Sequence, residues 1–445
     1  MTYNKSMDLA HSLRLSGSRA SHLTVSLVGA GGKTSAIFQL ARQLHPCIVT
    51  ATSHLGIWQI PLADHHITET PAELNPLPKD GIVLVTGQMD GERTRPVSNE
   101  TLLWLREYSK NRNIPLLVEA DGSRQKPLKA PADHEPPIPE FSDLVILMAG
   151  LSGIGKPLSD EHIHRPEIFS QLSGLKIGQP ITPKEIITTL THPLGGMKNI
   201  PAGARRIAFL NQADTPKLQS IGGSMACELL GKLDSVIVGS VQKKSFRTFE
   251  QTAGIILAAG KATRYGSLKQ LLDWKGKPFV RQVAETALHA GLWPVVVVTG
   301  FHSAEVESSL MGLPISIAYN PDFEDGQSTS IRAGVEALPQ NTGSAIFLLA
   351  DQPQIPGDII RALAESHTKE LDPIIVPLIL EERRANPVLF DKVTFPDLLQ
   401  LTGDVGGRAL FSKYKVTFLP WHDDLLLLDV DKPEDYQRLI DIETI

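Results

Sequence analysis

Ile255-Ile256-Leu257-Ala258-Ala259-Gly260-Lys261-Ala262-Thr263-Arg264-Tyr265-Gly266-Ser267-Leu268-Lys269 runs from a continuous apolar strand into a loop of small residues and cations. Small residues let backbone N–H groups approach phosphate oxygens closely, because no side chain intervenes. Arg264 and Lys269 add positive charge where a triphosphate would lie. Ligands of open α/β sheets sit just beyond such strand ends. Gly260 and Gly266 would also serve a plain turn, but a turn has no need of the two cations. The stretch reads as the opening strand and phosphate loop of an α/β nucleotide-binding domain.

The same pattern extends to both sides. Upstream, short continuous apolar runs recur: Leu23–Val28, Cys47–Thr50, Ile82–Thr86, Leu116–Glu119, Leu144–Met148, Ile207–Leu210 and Ser235–Val238. Continuous rather than alternating runs mark strands buried on both faces of a parallel sheet. Helical segments such as Thr34–Leu44 lie between them. Downstream, Gly254–Leu257, Val295–Thr299, Ile315–Tyr319, Ala345–Leu349 and Ile374–Pro377 form a second series. Val241–Thr252 between the two is polar and basic without core periodicity, and reads as a linker. The expectation is two Rossmann-like layered α/β domains with mostly parallel sheets, over 1–240 and 253–445, joined by 241–252.

Composition narrows the function. The chain has 445 residues, enough for two domains, with 42% hydrophobic and 21% charged residues, the balance of a soluble globular protein. A formal net charge of −6 argues against a surface built to neutralise nucleic-acid phosphates. No apolar run approaches the roughly 20 residues that span a bilayer. Lys5, Asp8, Arg14 and Arg19 interrupt the N-terminal stretch, so it does not read as a secretory signal. Cys47 and Cys227 form no C-x-x-C pattern, which excludes a thiolate zinc site and fits a reducing cytoplasm.

Two further strands end in carboxylates. Ile346–Ala350 leads to Asp351, which would point into the triphosphate crevice and suit a magnesium ion, whose preferred donors are one or two carboxylates with phosphate and water oxygens. Leu425–Leu428 leads to Asp429-Val430-Asp431-Lys432-Pro433-Glu434-Asp435, where Asp431 reads as a helix N-cap and also as a second metal ligand.

With these residues in place, Leu257–Lys269 resembles the L-A-A-G-x-S-x-R-x-G-x-x-K signature of nucleotidyltransferases acting on molybdopterin. Gly326-Gln327-Ser328-Thr329-Ser330-Ile331-Arg332-Ala333-Gly334 is similar to that family's serine-rich segment, and Leu349–Pro353 to its metal-binding strand end. Asn386–Phe390, Gly403–Arg408 and Asp431–Asp435 continue the series in order, so the resemblance covers Ala253–Leu439. Ala258-Ala259-Gly260 is similar to the cytidylyltransferase version, where the guanylyl version reads L-A-G-G. Ala262 and Ala385 depart from the usual serine and glycine, which touches the exact substrate more than the general reaction.

The resemblance implies magnesium-dependent transfer from CTP to molybdenum-bound molybdopterin, giving the cytosine dinucleotide cofactor and pyrophosphate. Lys269, Arg264 and Asp351 are the implied catalytic groups. Leu257, Ala258, Ala259, Gly260, Lys261, Arg264, Lys269 and Ser328 are implied at the nucleotide, Asn386, Asp404 and Arg408 at the pterin, and Asp351 and Asp431 at Mg2+. GTP in place of CTP, or a sugar-phosphate or polyol-phosphate acceptor, are the alternatives within the same chemistry.

In the first half, Val28-Gly29-Ala30-Gly31-Gly32-Lys33-Thr34-Ser35 follows a strand and opens a helix, the setting of a phosphate-binding loop. Gly31 and Gly32 would approach the phosphates, Lys33 would bind their oxygens and Thr34 magnesium. Leu27 stands where the G-x-x-x-x-G-K-[ST] pattern has its first glycine. Asp121, after the strand Leu116–Glu119, is the candidate ligand for the same metal. Asn211-Gln212-Ala213-Asp214 resembles the N-K-x-D guanine-reading motif with glutamine in place of lysine, and reads equally as a turn after a strand.

Thr50–His54, Glu119–Arg124, Pro127–Pro131, His134–Pro136 and Gly155–Leu158 together are similar to the accessory-protein family of selenium-dependent molybdenum hydroxylases, over about Ser21–Val241. His54, His134, His162 and His164 have no metal-ligand spacing and read as solvated loop residues. The fusion implies one pathway, cofactor maturation, with an apo molybdenum hydroxylase as partner. A nucleotide-dependent cofactor chaperone with little transfer activity is the alternative of a different class.

Overall fold

The computed structural model describes residues 7–16, 21–69, 77–260, 268–379, 383–430 and 432–441. It divides into two compact units, Met1–Phe249 and Glu250–Ile445.

The strands of the first unit's main sheet are, in chain order, β1 (Thr24–Gly29), β2 (Cys47–Ala51), β3 (His65–Thr68), β4 (Ile82–Thr86), β5 (Leu116–Glu119), β6 (Leu144–Gly150), β7 (Arg205–Asn211), β8 (Ser235–Ser240) and β9 (Ser245–Phe249). Helix α1 (Lys33–Leu44) follows β1 directly. Among the described residues the sheet order is β9-β8-β7-β6-β1-β5-β2-β4-β3. Every pairing is parallel except β8 with β9.

A sheet covered on both faces needs apolar residues at consecutive positions, and β6 supplies them: all seven of its residues are buried. Val145 and Leu147 join one core layer, while Leu144, Ile146 and Met148 join the other. This period-two division of a continuous run is why the run reads as a strand rather than a helix.

The second unit has a mixed sheet of β10 (Gln251–Leu257), β11 (Val295–Thr299), β12 (Ser316–Tyr319), β13 (Thr342–Leu349), β14 (Ile374–Ile379), β15 (Arg383–Arg384), β16 (Val388–Asp391) and β17 (Val416–Pro420). Its order is β12-β11-β10-β13-β16-β14-β15, with β17 beside β14. The pairs around β10 are parallel, while β16 runs antiparallel to both β13 and β14. Helix α2 (Gln327–Glu336) packs on β10 and β11.

The stretch 241–252 is not the linker its polarity suggested. Ser245–Phe249 pairs with β8, Phe246 and Phe249 are buried, and Gln251 already begins the central strand of the second sheet. Ser-Phe-Arg-Thr-Phe has the alternating pattern of an edge strand, and a reading tuned to continuous apolar runs passes over it. None of the described helices is long and apolar enough to cross a membrane.

Both sheets bring glycine loops and strand-end carboxylates together. β1 lies between β5 and β6, so the loop after Gly29 faces Glu119 and Asp121. β10 lies between β11 and β13, so Leu257–Gly260 faces Asp351.

Candidate functional site

In the second unit a cleft of about 830 Å³ opens at the ends of β10 and β13, lined by Leu257, Ala259, Gly260, Lys269, Asp351 and Asp404 among others. That is within the usual range for a small-molecule site. Ala258 N–H donates to Val298 O (2.9 Å) and Ala350 N–H to Leu257 O (3.2 Å), which fixes both strand ends. Gln270, also buried, donates through Nε2 to Ala258 O (3.2 Å) and Gly260 O (2.8 Å), holding the start of the loop. The sequence reading missed this clamp, although Gln270 adjoins Lys269.

Lys269 is 8% exposed and lies with Nζ 3.6 Å from Asp351 Oδ2, while the Asp351 side chain is 33% exposed. A buried ammonium thus stands beside an accessible carboxylate at the strand end. Lys261, Arg264 and Asp431 lie outside the described residues.

The serine-rich segment forms the start of α2. Gly326 has φ +107°, and a Cβ there would lie 2.5 Å from Asp404 N, so the Gly403–Arg408 segment packs directly over this helix start. Gln327 N–H donates to Asp404 Oδ1 (3.2 Å), capping the helix from outside its own sequence. Ser328, expected at the nucleotide, is fully buried and lines neither cavity. Ser330 is the serine in the cleft wall. Helical geometry turns adjacent residues about 100° apart, so only part of a serine-rich run can face a ligand.

Beside the cleft lies a pocket of about 340 Å³, with Phe347, Phe390 and Phe411 in its walls and Asn386, Arg408 and Asp429 as polar groups. The two cavities share Leu257, Gln327 and Leu349. Asn386 and Arg408 therefore line one pocket together, whereas Asp404 belongs to the first cleft. Asp429 is held by Gln352 Nε2 (2.5 Å), a link with no local sequence signal. The carboxylate oxygens of Asp351, Asp404 and Asp429 are hard donors suited to magnesium, although no group of three or more candidate ligands clusters among the described residues.

The first unit has a different electrostatic design. Asp121 accepts from the Gly29 N–H (3.1 Å) and pairs with Lys33 Nζ (3.1 Å) and Lys129 Nζ (2.8 Å). Lys129 also pairs with Glu135 (2.7 Å), which binds Arg165 through two hydrogen bonds of 2.6 and 3.0 Å. The result is an alternating ladder, Lys33–Asp121–Lys129–Glu135–Arg165, of which Lys33, Glu135 and Arg165 line a cleft of about 930 Å³. Buried charges persist only when paired in this way.

Both oxygens of Asp121, the expected metal ligand, are paired with ammonium groups. Glu119, the neighbouring strand-end carboxylate, accepts from Thr34 Oγ1 (3.3 Å) and lines the cleft. Burial pushes the Glu119 carboxyl up from its ordinary range, against the pull of Lys33, while Asp121 adds to the rise. In the glycine loop, Ala30 N–H donates to Met148 O and Gly31 N–H to Lys126 O, so these amides are already committed. Lys33 Nζ donates back to Gly29 O (2.5 Å). The N–H groups of the first turn of α1 have no intrahelical partner and are what remains for an anion.

His164 is buried, contrary to the expectation of a solvated residue. Burial, with the charges of Arg165, Lys129 and Arg124, lowers its pKa to about 4. Glu135 is raised by burial but pulled down further by hydrogen bonds and charge from Arg165 and Lys129, to about 2. Both groups act in one direction. The unfolded chain takes up a proton at His164 below about 6.5, and at Glu135 below about 4.5, that the folded chain refuses until about 4 and about 2. Acid should therefore destabilise this unit, with Glu135 contributing on the order of 2 kcal/mol after solvent screening. Urea unfolding at pH 5 and pH 3 checks this: Glu135→Gln should lose less stability than the parent over that interval, and equal losses would contradict the assignment.

Comparison with known proteins agrees with this division. The YqeC protein family matches residues 25–167, and the MobA-like NTP transferase domain matches residues 254–417. Protein YqeC of Escherichia coli (strain K12) is 32% identical over 44% of this chain and 78% of its own length. Purine catabolism protein PucB of Bacillus subtilis (strain 168) is 32% identical over 42% of this chain and 94% of its own. Nicotine blue oxidoreductase of Paenarthrobacter nicotinovorans is 29% identical over 42% and 95%. Molybdenum cofactor cytidylyltransferase of Escherichia coli (strain K12) is 26% identical over 41% and 92%. This chain belongs to the YqeC family through its first unit and to the MobA-like NTP transferase family through its second, and it is a nucleotidyltransferase.

Proposed function

We propose that the second unit transfers the cytidylyl group of CTP to the terminal phosphate of molybdenum-bound molybdopterin. The observation that carries this reading is the pair of cavities sharing Leu257, Gln327 and Leu349: a polar cleft beside the Lys269–Asp351 pair, and an aromatic pocket holding Asn386 and Arg408. Aromatic walls with the Asn386 amide and the Arg408 guanidinium suit a pterin that carries a phosphate. Ala259 lines the cleft, and its methyl takes space that glycine would leave to a larger base.

The acceptor phosphate oxygen attacks the α-phosphorus of CTP. The bond from that phosphorus to the α,β-bridging oxygen breaks, and pyrophosphate leaves with the bonding electrons. Such transfers are accelerated mainly by alignment and charge neutralisation. Lys269, buried and held in place, stabilises negative charge on the leaving pyrophosphate, and Arg264 adds to it. Asp351 would hold magnesium, with Asp431 as the second ligand; the ion would supply Lewis-acid charge and a template for the phosphates. Asn386 and Arg408 orient the pterin, and Asp404 fixes the start of α2 that walls the cleft.

The first unit, on this reading, binds a nucleotide at the start of α1, with Gly32, Lys33 and Thr34 at its phosphates and Glu119 at the metal. It serves maturation of an apo molybdenum hydroxylase. Pyrophosphate release by the full chain, given magnesium and molybdenum-loaded molybdopterin with CTP, GTP or ATP separately, tests the transfer. Release with CTP alone is expected. Release with GTP alone would overturn the base assignment, and no release despite CTP binding would overturn the acceptor.

A further inference from the structure

We infer that the first unit reads guanine, through the side chains that follow β7. This rests on the nucleotide-binding reading of α1 and adds the identity of the base.

Asn211 ends β7 and is 4% exposed. Its Nδ2 donates to Gly31 O (2.7 Å), and its Oδ1 accepts from Val241 N–H (3.0 Å). One side chain therefore fastens together the glycine loop, the end of β7 and the segment after β8. A turn residue needs neither bond. Asn211 thus lies against the phosphate loop itself, and a Cβ at Gly32 would lie 2.8 Å from its Nδ2.

Asp214 follows three residues later. Its Oδ1 is shielded from solvent and has no hydrogen-bond partner among the described residues, although the residue as a whole is partly exposed. A shielded, unpaired carboxylate oxygen is costly unless a ligand supplies the donor. Guanine presents N1–H and the 2-amino group side by side, two donors for one carboxylate. Adenine places the N1 acceptor there and is repelled. Lys243 Nζ donates to Asp214 O (2.6 Å), which fixes the backbone at Asp214.

The departure at Gln212 is accommodated. Its Oε1 accepts from Ser152 Oγ (2.6 Å), and Gly150 leaves room for the side chain to lie against the strand end. Gln212 also lines the cleft. Its stem can support the base as a lysine stem would, without the charge.

The test is equilibrium binding of GDP, ADP and xanthosine diphosphate to the full chain and to its Asp214→Asn and Lys33→Ala variants. Xanthine replaces the 2-amino donor with an acceptor, which an asparagine amide can satisfy. The parent should bind GDP roughly tenfold or more tightly than ADP. Asp214→Asn should lose GDP by about tenfold or more and gain xanthosine diphosphate by a similar factor, a gain that a misfolded variant cannot show. GDP and ADP bound equally with a loss on Lys33→Ala, or GDP binding unmoved by Asp214→Asn, would overturn the base assignment. Nucleotide binding unaffected by Lys33→Ala would instead overturn the reading on which it rests.

Discussion

Asp351→Asn is expected to slow pyrophosphate release by about 100-fold or more, from the loss of about 3 kcal/mol of transition-state stabilisation by one preorganised charged group. The substitution keeps the size of the side chain and removes its charge. Asp351 is a third exposed and only 3.6 Å from Lys269 Nζ, a long ion pair that contributes little to folding. The melting temperature should therefore barely move while the rate collapses. Lys269→Met should have a similar effect on rate, and the double variant should be little worse than either, because the two groups act on the same developing charge. Initial rates of pyrophosphate release beside thermal melts make the check. A rate within about threefold of the parent would remove this strand end from the reaction.

The second large effect is on stability. Asp121→Asn should destabilise the first unit by about 3–5 kcal/mol, the range for removing one partner of a buried ion pair. The Asp121, Lys33 and Lys129 side chains are each 2% exposed or less. Without the carboxylate, Lys33 keeps Gly29 O as a hydrogen-bond partner with Glu119 nearby, and Lys129 keeps Glu135 and Gly122 O. Neutral asparagine cannot balance two ammonium groups in a low-dielectric site. Amide hydrogen exchange locates the effect: β1, β5 and β6 should lose protection, and the strands of the second unit should keep theirs. Unchanged protection in β1 and β5 would contradict the ladder as a structural element.

Much of the architecture is legible along the chain because strands buried on both faces must be continuously apolar. β1, β6 and β11 are visible as Thr-Val-Ser-Leu-Val-Gly, Leu-Val-Ile-Leu-Met-Ala-Gly and Val-Val-Val-Val-Thr. Asp351 is legible for the same reason, as the first charge after Ile346–Ala350. Edge strands escape this logic, since Ser245–Phe249 needs only one apolar face.

Choices between neighbouring residues of one type are decided by partners distant in sequence. Glu119 and Asp121 look alike as strand-end carboxylates. Lys129, brought in by the two-residue strand Leu128–Lys129, takes Asp121 and leaves Glu119 to Thr34. Ser328 and Ser330 are separated by the way α2 faces β10 and β11, which the local run does not encode. Gln352 and Asp429 meet across 77 positions, beyond any local pattern.

The most direct test of the central claim offers the full chain molybdenum-loaded molybdopterin with equal concentrations of CTP and GTP, then hydrolyses the product cofactor and identifies the nucleotide it carried. CMP as the dominant nucleotide is the predicted result. GMP, or a pterin that carries no nucleotide while both triphosphates remain intact, would contradict it.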